Sequence, residues 1–312
     1  MPKISVIIPA YKNTDLVYRS VGSLETQTIK DFEVVLINNG SLEDVEKIFT
    51  YFKDRKILNI KYLHIEKNEG IMHAYNFALK NINTEFVAFL DSDDEYFDSK
   101  LEEQYNVFLK NNTVDIVACL CEVDKFGVRY VSMRNKDFNR TLNSKQAIDA
   151  FLENNWSLIP NTLMIKKSLF DKIDFVFDER FKVAGDIDLA ISVLKAGNFY
   201  GISKPLFRYY IHNDNTSGLT SKIKCLDSAK DQELLLKKHL DIYSFSKKIY
   251  AQQIKWIGVL YFLGGELNKG RKLMYKALSI HINKKNIMTF VLSLCGYEIF
   301  LKVFMYRTKN AR

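Results

Sequence analysis

Short apolar runs alternate with segments of helical spacing along the first hundred residues. Ile4 to Ile8, Phe32 to Ile37, Ile60 to Ile65 and Phe86 to Leu90 are β-branched or aromatic runs of strand length, and each predicts a buried β-strand. Between them, Thr14 to Glu25, Leu42 to Lys53 and Gly70 to Asn81 repeat apolar residues every three or four positions. In the first of these, Leu16, Val17, Val21 and Leu24 form the stripe. Ser41 or a neighbour is expected to cap the second. A β-α-β-α order predicts a parallel sheet with helices on both faces. Right-handed crossovers bring the strand ends to one edge, so Pro9, Asn39, Asn68 and Asp91 should meet although they are far apart in the chain.

The pattern then becomes mixed. Val114 to Val123 reads as a strand and Gly127 to Met133 as its partner. Ser144 to Asn154 reads as a helix, and Leu163 to Phe170 is apolar with a basic turn. Asp186 to Ala196 predicts a helix ended by Gly197. From 223 onward the spacing is helical. The stretch Ile287 to Tyr306 is mostly apolar and as long as a bilayer is thick. Glu298 and Lys302 interrupt it on one face, so a single helix lying in a membrane interface, or docked on a partner, is expected there rather than a span. The expected division is a catalytic domain over 1–218 and a helical region over 219–312.

Charge sharpens that division. From Leu219 to Arg312 there are 18 Lys and Arg against 6 Asp and Glu, a net of +12, while the first 218 residues hold 27 against 31, a net of −4. A basic tail points to a membrane surface or a nucleic acid, and no nucleic-acid-binding module is recognisable in it. Cys119, Cys121, Cys225 and Cys295 have no His at metal spacing and are expected to be reduced and structural, as in a cytoplasmic protein. The N-terminus lacks the apolar stretch of a secretory signal. Trp156 is expected in the core.

The candidate chemistry lies where the fourth strand ends. Asp91-Ser92-Asp93-Asp94 sets three carboxylates within four residues directly after an apolar run. Such a cluster cannot stay inside the sheet, and ligands bind at the carboxyl ends of strands in open α/β folds. Oxygen ligands there suit a hard cation, Mg2+ or Mn2+, able to neutralise a diphosphate.

Five segments together resemble the family 2 glycosyltransferases. They are Ser5 to Asn13, Val35 to Ser41, Asn68-Glu69-Gly70 with Asn76, Asp91 to Asp94, and Phe177 to Phe181 leading to Gly185-Asp186. The resemblance covers roughly residues 3 to 218. It implies the A-type glycosyltransferase fold, a Rossmann-like and mostly parallel sheet flanked by helices, here with a helical C-terminal extension. It implies that Pro9, Ala10, Tyr11, Asn13, Asn39, Asn68, Gly70, Asp91 and Ser92 bind the nucleotide-sugar donor. Asp93 and His212 would hold Mn2+ or Mg2+, Asp186 would be the general base, and Asp94 would support the loop or contact sugar hydroxyls. The chain departs from the family pattern at Asn39, where Asp is usual, at Tyr75 and Tyr210, where Arg is usual, and at Gly185, where Glu is usual.

The function so implied is metal-dependent, inverting transfer of a hexose or N-acetylhexosamine from a nucleoside diphosphate sugar, with a UDP-sugar favoured. The acceptor would be a glycan or a lipid-linked glycan in bacterial surface polysaccharide or lipopolysaccharide synthesis. The acceptor site would lie mainly within 120–184, and 213–222 would close over the donor. The expected location is cytoplasmic, peripheral at the inner face of the cell membrane through the C-terminal region. The alternative is a catalytically inactive partner subunit that binds nucleotide-sugar.

Overall fold

The computed structural model describes residues 2–131, 138–154, 156–212, 219 and 221–310. Residues 213–218 and 220 of the expected closing loop, and 132–133 of the expected return strand, lie outside the described residues. The chain divides into two compact units, one built from residues up to 180 and 185–214, the other from 181–184 and 215 onward.

The first unit begins β1 (Ile4–Ala10), α1 (Thr14–Gly22), β2 (Phe32–Asn39), α2 (Val45–Arg55), β3 (Ile60–Ile65), α3 (Ile71–Lys80), β4 (Phe86–Phe89) and β5 (Glu95–Tyr96). It continues with α4 (Lys100–Lys110), β6 (Ile116–Lys125), β7 (Val128–Val131), β8 (Thr141–Leu142), α5 (Ser144–Asn154), β9 (Leu163–Lys166), α6 (Gly185–Ala196) and β10 (Phe199–Ile211). Asp44, not Ser41, caps α2 by accepting the Lys47 amide.

The strand order is β3-β2-β1-β4-β9-β6-β10-β5, with β7 beside β6 and β8 beside β10. The first four strands are parallel. β9 runs antiparallel between β4 and β6, so the sheet is mixed and mostly parallel, as expected. The chain leaves β1 toward β2 and β3, then returns to β4 on the other side of β1. That reversal opens a crevice at the carboxyl ends of β1 and β4, where such sheets bind ligands.

The central strands are buried on both faces. On one face Val6, Ile8, Val34, Leu36 and Ala88 pack with Val17 and Val21 of α1, Ile48 and Phe52 of α2, and Leu101 of α4. On the other, Tyr75 of α3 meets Phe89 edge-on. Trp156 stacks on Phe199 and is buried, a core residue as expected.

The second unit contains α7 (Lys222–Lys238), α8 (Leu240–Tyr243), α9 (Lys247–Leu263), α10 (Leu267–Ile280), α11 (Lys284–Leu294) and α12 (Tyr297–Asn310). Ser221, Ser246 and Asn283 cap α7, α9 and α11 through their side chains. α9 and α10 cross closely at two glycines. A Cβ on Gly270 would lie 2.7 Å from Gly258 O, and one on Gly258 would lie 2.9 Å from Gly270 O. Asp231 Oδ2 accepts the amides of Lys182, Val183 and Ala184, which binds that short segment into this unit.

The single helix expected over Ile287 to Tyr306 is instead two. Gly296, with φ 97°, breaks the path between α11 and α12, because a left-handed residue cannot continue a right-handed helix. Among the described residues no helix is long and apolar enough to cross a membrane.

Candidate active site

The acid loop begins where β4 stops. Asp94 N donates to Asp91 O at 3.1 Å, and the tight turn gathers carboxylate oxygens of Asp91, Asp93 and Asp94 within 4.8 Å of one another. Three like charges at that spacing repel. Burial, then repulsion from Asp93, pushes the Asp91 carboxyl up, and burial with its two neighbours pushes Asp94 well up. Asp94 is fully buried and tied on both sides: Tyr210 N donates to its Oδ1 at 3.0 Å, and the Asn161 amide donates to its Oδ2. Asn161 also accepts the Asp91 amide at 3.1 Å. Asp94 thus supports the loop by joining it to β10 and to the 3₁₀ turn Pro160–Thr162.

Two other elements hold the same loop. From α1, Ser20 Oγ donates to Asp91 O at 3.1 Å and the Arg19 guanidinium donates to Asp93 O. From α3, the buried Tyr75 hydroxyl donates to Asp91 Oδ1 at 2.8 Å. β10 delivers His212 directly past its end, where His212 Nε2 lies 2.9 Å from Asp93 Oδ2. Asp93 and His212 stand 119 residues apart in the chain.

The nucleotide-facing candidates follow β1 and β2. Pro9 and Ala10 are buried at the end of β1, while the Tyr11 ring is 40% exposed. Asn13, with φ 60°, starts α1 and lines a cleft of about 690 Å³ with Arg19, Phe126, Tyr210 and His212. Asn39 is the buried last residue of β2. Its Nδ2 donates weakly to Gly70 O at 3.3 Å and to Asn68 Oδ1 at 3.4 Å, while its buried Oδ1 has no donor. A group presenting an N–H to that oxygen would satisfy it. Gly40, with φ 69°, lets the Asn68 segment approach: a Cβ there would fall 2.3 Å from Asn68 N. Gly70, also at positive φ, precedes α3, and Asn68 Oδ1 accepts its amide at 2.9 Å. Asn39, Asn68 and Gly70 therefore form one contact group, and Asp91, Asp93 and His212 another. Ser92 sits in the acid loop, part-exposed.

Asp186 occupies the first turn of α6, with Oδ1 accepting the Ile187 amide at 2.8 Å. It caps its helix locally, and burial pushes its carboxyl up to about 6 despite that bond. Its charge also reaches Asp91, where it adds to the repulsion there. α3 touches both the acid loop and the Phe177 segment. Tyr75 bonds Asp91 and stacks on Phe177, and Asn76 holds the Phe177 backbone, donating to Phe177 O at 2.8 Å and accepting from Phe177 N at 3.3 Å. Asp188, two residues on, is fully buried.

The family model described as glycosyl transferase family 2 matches residues 5–174. The chain belongs to this family. It is 33% identical over 215 residues to an uncharacterized glycosyltransferase of Rickettsia bellii (strain RML369-C), covering 69% of this chain and 30% of that protein. It is 30% identical over 220 residues to the poly(ribitol-phosphate) beta-N-acetylglucosaminyltransferase TarP of Staphylococcus aureus (strain N315), covering 69% of this chain and 64% of TarP. The chain thus spans about one third to two thirds of the length of these curated relatives. The crystal structure of S. aureus TarS 1-349 in complex with UDP-GlcNAc superposes with a TM-score of 0.70 at 20% identity, covering 98% of this chain and 92% of that one. The fold is the A-type glycosyltransferase fold.

The departures from the family 2 pattern have local physical reasons. Gly185 packs on α3: a Cβ there would lie 2.4 Å from Met72 Cε, so a Glu would have to displace that side chain. Where Tyr210 replaces Arg, the Arg19 guanidinium lies 3.8 Å from the Tyr210 ring centre, so α1 supplies a cation at that place. Tyr75 exchanges a charge for a hydrogen bond to Asp91. Arg19 and Asn161 carried no signal in the chain, because an Arg on a helix and an Asn beside a Pro become site residues only when the fold brings them there.

The acid loop offers a donor set for a divalent cation. Asp91 and Asp93 oxygens with the His212 nitrogen form a compact, negatively charged cluster whose repulsion nothing in the first unit's described ion pairs offsets, except that His212 lies against Asp93. Oxygen ligands with one imidazole fit Mg2+ or Mn2+.

Proposed function

We propose that the chain is a metal-dependent, inverting glycosyltransferase that uses a UDP-sugar. The observation that carries this reading is the meeting of Asp91, Asp93 and His212 at the head of the sheet, with the electrostatically coupled Asp186 beyond them. Asp91, Asp93 and His212 would hold Mg2+ or Mn2+, which would neutralise the diphosphate as it leaves. Asn39 Oδ1 accepts the N–H of the uracil ring, while Asn68, Gly70 and the Pro9–Tyr11 backbone frame the nucleoside. Asp186 takes the proton from the acceptor hydroxyl. The hydroxyl oxygen then bonds to the anomeric carbon as the bond from that carbon to the diphosphate oxygen breaks, which inverts the centre. A carboxyl near 6 is ionised at neutral pH yet basic enough to accept that proton.

UDP-GlcNAc is the first donor to test, because TarP is named for N-acetylglucosaminyl transfer and the TarS structure contains that donor. The acceptor is a hydroxyl of a bacterial surface glycan or polyol-phosphate polymer, carried on lipid at the inner face of the membrane. The inactive-subunit alternative loses ground because Tyr75, Gly185 and Arg19 account locally for three of the four departures. The test is nucleotide release from UDP-, GDP-, CDP- and dTDP-sugars with Mn2+, with Asp93→Ala and Asp186→Ala run in parallel. Release from UDP-GlcNAc that is lost with EDTA and in both variants is expected. Failure of every donor to bind refutes the reading.

A further inference from the structure

The helix α11 packs Phe290 and Leu292 against the core of its unit and leaves a second apolar stripe facing outward. Its buried positions include the polar Asn286 and Ser293, 1% and 0% exposed. Asn286 Nδ2 donates to His281 O at 2.8 Å and Ser293 Oγ donates to Phe290 O at 2.6 Å, while the buried Asn286 Oδ1 has no donor. Its outward positions are Lys284, Ile287, Met288, Val291 and Leu294. These recur every three or four residues, so they share one face. The four apolar ones are 42–59% exposed. An ordinary surface helix turns charged and polar residues outward instead.

Cations crowd around this face. α10 lies alongside, its Tyr275 ring 5.5 Å from Phe290 and its Arg271 Nε donating to Ser293 O at 3.0 Å, and it adds the exposed Lys272 and Lys276. Lys284 and Lys285 open α11 itself. Lys285 is near enough to Lys255 of α9 to help burial hold that amine below its usual range. From Leu267 to Asn310 the chain has nine Lys and Arg and one acid, Glu298. Among the described residues, none of Lys255, Lys272, Lys276, Lys284 and Lys285 forms an ion pair.

We propose that the outward face of α11, with Lys272, Lys276, Lys284 and Lys285 at its margin, docks on an anionic lipid bilayer. The apolar stripe enters the boundary between headgroups and acyl chains while the amines bind lipid phosphates. A second copy of this chain fits the face worse. A two-fold interface sets each patch against itself and so opposes lysine to lysine. The proposal deepens the reading of a lipid-borne acceptor, and its test involves no sugar transfer, so either can fail alone.

The test is sedimentation of the full chain with vesicles of phosphatidylcholine alone or with one third phosphatidylglycerol. Wild type is expected to bind the anionic vesicles and to be released by 0.5 M salt. Val291→Glu, an exposed position, and the double variant Lys284→Glu with Lys285→Glu are each expected to weaken binding roughly tenfold or more at unchanged melting temperature. The lysine variant leaves the apolar stripe intact, so it decides the matter should the first variant fold poorly. Equal binding to both vesicle types, or wild-type binding by both variants, overturns the proposal. So does a wild-type dimer in solution that Val291→Glu converts to a monomer without any vesicle binding.

Discussion

Replacing Asp186 with Asn should stabilise the protein and silence it at once. The carboxyl is pushed from 3.8 to about 6 by burial, against the two backbone bonds that favour its ionised form. A folded-state value above the unfolded one means that the neutral acid is preferred in the native protein. Its stabilising contribution is complete below pH 3.8 and is lost as pH rises through about 6. Above that pH the wild type carries an ionised carboxylate that the fold disfavours. The gap between 3.8 and about 6 corresponds to at most about 3 kcal/mol, less whatever the part-exposed side chain recovers from water. Asn keeps the shape and an oxygen for the Ile187 amide and carries no charge. In EDTA at pH 8 the Asn variant should therefore melt several degrees higher than wild type. At pH 4 the two should coincide. Turnover should fall by about 10²- to 10⁴-fold. The wild-type kcat/KM should halve near pH 6 and drop about tenfold per unit below that. An Asn variant that is less stable at pH 8, or whose gain is the same at pH 4 and pH 8, refutes the burial argument.

Tyr75→Phe keeps the ring stack on Phe177 but removes the donor to Asp91 Oδ1, so UDP·Mn2+ binding measured by calorimetry should weaken about five- to tenfold while the melting temperature falls only slightly. Mn2+ should raise the melting temperature of wild type, and neither Asp93→Ala nor His212→Ala should show that rise, because the ion binds the native cluster alone. Gly270→Ala should cost about 1–3 kcal/mol in denaturant unfolding, since its Cβ would fall 2.8 Å from the Phe262 backbone nitrogen and Cβ.

The first four strands and three helices were legible because each strand is a dense apolar run and each helix carries a regular stripe. β10 was not, although it is the longest strand at 13 residues. Its sequence Phe199 to Ile211 contains Lys204, Pro205 and Arg208, and a register shift at Pro205 accommodates the break in pattern. α4 is hidden in the chain because Lys100 and Gln104 interrupt its stripe, yet both are fully buried. Lys100 Nζ donates to Gln104 Oε1 at 2.6 Å and lies 4.0 Å from the Tyr96 ring centre. A polar residue satisfied in the core looks like a surface residue in the chain alone. The break at Gly296 is hidden for the opposite reason: hydropathy continues across it while the backbone turns.

The chemistry at the sheet edge was determined locally. Three acids after an apolar run, an Asn-Gly turn after another and the order of strands and helices are properties of neighbouring residues, and backbone sterics convert them into a crevice. What only the tertiary structure decided is which distant groups complete that crevice. Arg19, Tyr75, Asn161 and His212 come from four separate elements and converge on one four-residue loop. The face that α11 leaves open was settled in the same way. Its own pattern would bury Ile287 and Val291, but Asn286 and Ser293 are the side chains held inside, by bonds to His281 O and Phe290 O. Periodicity records that a helix has two faces, and only its packed neighbours choose which one meets water.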